Sequence, residues 1–92
     1  MNEFDREIAS LRDVCRSHID GGIDLIFLQS KIRLTEDIIY SFENRFITKF
    51  LSKMENKLES IIYTIDERDR GKAADNVCSE IIEYFIKKRP RT

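Results

Sequence analysis

Cys15 and His18 stand three residues apart in a stretch with helical apolar spacing, so thiol and imidazole fall on one helix face. Two chemistries use such a pair: metal ligation, and a cysteine nucleophile activated by a neighbouring base. Neither is completed by the rest of the chain. His18 is the only histidine, and the second cysteine, Cys78, lies far along the sequence with no further cysteine beside it. A structural zinc site needs four ligands, and a nucleophile needs an oxyanion hole and a group to orient its base. The expected role is structural: a half-buried thiol, and a histidine near a helix C-terminus, where its cation is favoured.

Neighbouring carboxyls are plentiful, at Glu36/Asp37, Glu55/Glu59 and Asp66/Glu67. General acid–base chemistry needs carboxyls in a desolvated cleft with their affinities for protons driven apart. These acids fall on expected surface turns, where solvation is the default. Glycine-rich phosphate loops and zinc-finger spacings are both missing. The expectation is therefore no enzyme, no cofactor and no metal. What is left is negative charge running through Glu43, Glu55, Glu59, Asp66, Glu67 and Asp69, tempered by Lys49, Lys53 and Lys57. Such acids serve equally as a plain solvated face or as a docking surface for a basic protein, with charge speeding association. Tyr40, Tyr63 and Phe27 flank the apolar stripes, and aromatic rings of this kind either cap a core or anchor an interface. The candidate partner-binding residues are Glu55, Glu59, Tyr63, Asp66, Glu67 and Asp69.

The elements that must position them are helical. Phe4, Ile8, Leu11, Cys15 and His18/Ile19 recur at three- and four-residue steps, giving a first helix over 4–19. Gly21 and Gly22 end it, because glycine reaches the left-handed backbone conformation freely and a second glycine lets the chain reverse sharply. Asp24 caps a short second helix over 24–33, which should fold back antiparallel on the first. Thr35 with Glu36 and Asp37 is a second start signal, opening an apolar run that includes Ile38, Phe42, Phe46, Leu51, Met54, Leu58 and Ile62. Read literally that is one thirty-residue helix. A break near Glu43-Asn44 is favoured, with asparagine as a C-cap, giving helices over 36–43 and 45–65. Residues 66–75 lack an apolar period and contain Gly71, so they read as an exposed loop. Asp75 then caps a final helix over 75–88, ended by Lys87, Lys88, Arg89 and Pro90. The expected fold is all-α: a compact bundle of four to five helices in one domain.

Length and composition agree. The chain has 92 residues, enough for one thin core, and 36% of them are charged beside an Ile-, Leu- and Phe-rich apolar fraction with a single proline. One long-range disulfide is open, but secreted frameworks use more pairs, so two reduced and mostly buried thiols are expected. The charged N-terminus does not suit a signal peptide, and no apolar run nears the roughly 20 residues of a membrane span. A cytoplasmic location without membrane contact is the expectation. Net charge is −1, with the acids concentrated in the middle of the chain and the bases at its end. The basic end is too small to predict nucleic-acid binding.

At residues 18–32, HIDGGIDLIFLQSKI, and 55–69, ENKLESIIYTIDERD, the chain resembles small bacterial immunity proteins, of the colicin D type and those that guard against contact-dependent inhibition toxins. The shared order is a glycine-ended first helix, an opening at Ile23-Asp24-Leu25, an acidic segment like Leu58-Glu59-Ser60-Ile61-Ile62-Tyr63, a polar loop and a closing helix. It spans roughly residues 8–86 as a pattern of periods with few fixed letters. The resemblance implies a cytosolic inhibitor that binds a cognate toxin domain, commonly a basic nuclease, through an acidic surface. This chain departs from the pattern in being nearly neutral overall, which weighs on nucleic-acid mimicry more than on toxin binding. The rival expectation is a small dimeric adaptor or secretion chaperone built on an unbroken helix from Thr35 to Ile65, so a homodimer stays open. A nucleic-acid-binding regulator ranks third.

Overall fold

The computed structural model describes residues 3–42 and 44–87. They form four α-helices, α1 (Glu3–Ile19), α2 (Leu25–Tyr40), α3 (Arg45–Thr64) and α4 (Glu67–Lys87), and no strand occurs among the described residues. Each helix packs on its neighbours in sequence, and α4 returns to α1 to close the ring; α2 also touches α4 across it. The helices alternate in direction. On α1 and α4, Cys15 meets Cys78 and His18 meets Asp75, so numbers rise on one helix as they fall on the other. This is a small all-α bundle, 42 × 22 × 20 Å.

Local chemistry explains most of the boundaries. At the end of α1 the Gly22 amide donates to the Ser17 carbonyl (2.8 Å) and the Gly21 amide to His18 (3.0 Å), with Gly21 at φ +85°. That is a Schellman stop, and the left-handed residue is Gly21 alone. Gly22 has an ordinary φ, and an added Cβ would only touch the Ser17 carbonyl at 3.5 Å, so its expected role in the reversal is not needed. Asp24 caps α2 by accepting the Phe27 amide at 2.8 Å. Asn44 works at the start of α3, accepting the Ile47 amide at 3.1 Å, and not as the expected C-cap of the preceding helix.

Two expected boundaries are corrected. The helices placed at 24–33 and 36–43 are one helix, α2. Thr35 is fully buried in its interior, where its hydroxyl donates to Glu7 Oε1 of α1 at 3.0 Å beside the Lys31–Glu7 ion pair at 2.8 Å. A tertiary acceptor thus occupies the hydroxyl that local reasoning assigned to a cap. The loop placed at 66–75 is helical from Glu67. Asp66 leads into it, its carbonyl accepting the Asp69 amide at 2.8 Å, and Ala74 is buried in the core. Gly71 sits in the helix at a cost of about 1 kcal/mol, which the surrounding packing outweighs. Glu43 at the expected break, and Lys88, Arg89 and Pro90 at the expected stop, lie outside the described residues.

The core unites Leu11 and Cys15 of α1, Leu28, Ile32 and Ile39 of α2, Leu51, Met54 and Leu58 of α3, and Ala74, Val77, Cys78, Ile81 and Phe85 of α4. Each fully buried Leu or Ile contributes roughly 1.5–3 kcal/mol relative to exposure. Four residues of the expected apolar run lie outside this core: Ile38 and Ile62 are half-buried, Phe46 is 84% exposed, and Phe42 is exposed while its ring meets Phe4 edge-on. Where α3 and α4 meet, Phe50 stacks on Tyr84 with ring centroids 3.7 Å apart. No helix among the described residues is long and apolar enough to cross a membrane.

Candidate functional site

Cys15 and His18 do share a helix face, but both are buried against α4. The Cys15 thiol hydrogen-bonds Cys78, and this contact together with burial pushes its acidity far from the reactive range. Both cysteines are free. His18 finds Asp75, whose carboxylate accepts from Nδ1–H at 2.8 Å. Asp75 is therefore a mid-helix partner, corrected from its expected role as a helix cap. The spacing of Cys15 and His18 carried no trace of a partner 57 residues away. No group of three His, Cys, Asp or Glu side chains that could hold a metal occurs among the described residues.

The acids of the expected docking surface divide into two sets. Glu55, Glu59 and Tyr63 follow one another at four-residue steps along α3. Glu55 is engaged within the protein: its side chain is 16% exposed and accepts from Arg33 Nε of α2 at 3.0 Å. Beside it, Glu36 of α2 shares a hydrogen bond with the same carboxyl, and that bond, burial and the Glu55 charge push Glu36 up to about 7. Glu55 is thus a seam residue, with little surface left to offer a partner. Glu59 is exposed, and Tyr63 is 81% exposed.

Asp66, Glu67 and Asp69 form the second set, all exposed at the turn into α4. Glu67 and Asp69 occupy the first turn of the helix, where its dipole favours negative charge. The Arg68 pairing with Asp66, at 3.5 Å between groups that are both largely in water, contributes little. Tyr63 lies three residues before this turn, so the two sets join at the end of the bundle where α3 passes into α4.

One exposed apolar residue lies at the same end of the bundle. Arg33 on α2 meets Glu55 on α3, and the helices run antiparallel, so stepping back seven residues from Arg33 arrives at the level of Ile62 and Tyr63. That residue is Ile26, 66% exposed. An exposed phenol and an exposed aliphatic side chain therefore stand at the same end of the bundle as the acids of the α3–α4 turn. Apolar anchors ringed by charge suit protein recognition better than catalysis. Phe27 and Tyr40 are exposed too, but lie elsewhere on α2. No family model, curated protein or solved structure matches the chain, so the residues themselves carry the functional reading.

Proposed function

We propose that this chain is an immunity protein, which binds a cognate bacterial toxin domain, most simply a basic nuclease, and neutralises it by stoichiometric association. The observation that carries this reading is the exposed Tyr63 with Glu59, Asp66, Glu67 and Asp69 on one end of the bundle. A ring that hides apolar area from water on binding supplies affinity, while the acids around it speed encounter with a basic surface. A nuclease that holds phosphate presents such a surface. The competing idea of a dimeric adaptor drew on a continuous helix from Thr35 to Ile65. With α2 ending at Tyr40 and α3 starting at Arg45, that premise is gone.

Protection is the direct test. Cells expressing a toxin domain encoded beside this chain should survive only when the chain is co-expressed, and the two purified proteins should form a one-to-one complex. Survival without the chain, or no complex at micromolar concentration, would end the proposal. Within the complex, reversing Glu59 and Asp66 to lysine should slow association at low salt by about 10-fold or more, an effect that fades as salt rises. An unchanged association rate would place the interface on another face.

A further inference from the structure

We propose that the cleft where α2 gives way to α3 binds a nucleotide, with Arg45 and Lys49 holding its phosphates and the Tyr40 ring covering its base. The inference is independent of the toxin-binding reading, because the cleft lies at the opposite end of α3 from Tyr63 and the acidic turn.

The cleft measures about 640 Å³ and is lined by Tyr40, Ser41, Asn44, Arg45, Thr48 and Lys49. Sites for small organic molecules fall in the range of ~300–1,000 Å³, so a lone phosphate ion would leave most of this one empty.

Its wall is rich in hydrogen-bond donors. Arg45 and Lys49 stand four residues apart on α3, so their charges share one side of the helix, about 6 Å apart along its axis. Both are exposed, and neither has an ion pair among the described residues. A guanidinium and an ammonium only donate. No acid lines the cleft among the described residues, so the positive charge there is uncompensated. Asn44 uses its side-chain carbonyl to accept the Ile47 amide at 3.1 Å, which leaves its amide N–H groups as further donors. Such a wall suits a multiply charged oxyanion, and arginine in particular meets phosphate oxygens two at a time.

Two of the remaining groups have the reverse character. Ser41 Oγ donates to the Ile38 carbonyl at 2.6 Å, and Thr48 Oγ1 to the Asn44 carbonyl at 2.9 Å. With their protons committed, these oxygens only accept, so they disfavour phosphate and suit the hydroxyl groups of a ligand. Tyr40 adds a ring that is 72% exposed, a flat face of the kind on which a base stacks. Anion, hydroxyls and flat ring in one molecule describe a nucleotide, with phosphates for Arg45 and Lys49, ribose hydroxyls for Ser41 and Thr48, and the base for Tyr40.

Isothermal titration of the full chain with ADP tests this, with adenosine and pyrophosphate as the two halves of the ligand. ADP should bind at about 1 mM or tighter, and each half at least about 10-fold more weakly. Arg45→Gln and Lys49→Gln should each weaken ADP by about 10-fold, because a bond to a charged group is lost. Tyr40→Ala should weaken ADP and leave pyrophosphate unchanged. Lys72→Gln removes one positive charge from the exposed first half of α4 and should leave ADP binding as it was. No binding of ADP at about 10 mM would overturn the proposal. So would pyrophosphate that binds as tightly as ADP, which marks an anion site without a base, or an equal loss in Lys72→Gln, which marks general attraction to positive charge. The four substituted side chains are all exposed, so the variants should fold as the wild type does, which far-UV circular dichroism checks. The wild-type titration with ADP and its halves decides the question even where a variant does not fold.

Discussion

The seam between α1 and α4 and the seam between α2 and α3 join helices of similar length in the same bundle, yet they are built from opposite materials. Across α1–α4 the contacts on view are small and largely dry: Cys15 against Cys78, with His18 and Asp75 as a hydrogen-bonded pair at one end. Along the outer edge of α2–α3 the side chains are long and charged: Arg33, Glu36, Glu55 and Glu59. Removing a group from the first should leave a void or an unsatisfied polar atom. Removing one from the second leaves solvent to take its place. The first seam should therefore govern how stable the bundle is, and the second what charge it presents.

Three substitutions sharpen or break this contrast. The largest effect is expected from Leu11→Ala, which empties a fully buried position on α1 and should cost about 2–5 kcal/mol in urea unfolding. A cost below about 1 kcal/mol would mean that the α1 side of the core is loosely packed. Next comes Asp75→Ala, which leaves a buried imidazole nitrogen without its acceptor and should cost roughly 1–3 kcal/mol. The paired replacement His18→Leu with Asp75→Leu should recover much of that loss, since no polar group is then stranded; equal losses would show that the pair contributes through its own bond. The smallest effect belongs to the other seam. Arg33 is 61% exposed, so Arg33→Ala should change stability by no more than about 1 kcal/mol, and less at high salt. A loss comparable to that of Leu11→Ala would erase the distinction between the seams.

Features set by neighbours along the chain were legible in the sequence; those set by distant ones were not. The apolar period of α1, its glycine stop and the Asp24 cap depend on residues within a turn or two, and the all-α architecture follows from their repetition. Thr35 shows where this ends. Its hydroxyl and the following acids look like a helix start, but the acceptor that commits it to a helix interior is Glu7, 28 residues earlier. Residues 66–75 failed as a loop for a related reason. Their polarity comes from lying mostly at the exposed start of α4, and the burial of Ala74 depends on helices that spacing alone cannot place. At the candidate site, Glu59, Tyr63, Asp66, Glu67 and Asp69 are exposed as their expected role requires. Glu55 is different, because its Arg33 partner belongs to another helix and draws it into the seam.

Because four helices alternate in direction, Glu3 and Lys87 emerge at the same pole of the molecule, and Tyr63 with the acidic turn occupies the opposite one. A fluorescent label, an affinity handle or a surface linker attached at either of those positions would sit at the pole away from the acidic turn. Immobilising the chain through position 3 or through position 87 should then expose the same face to a passing protein and give matching binding curves.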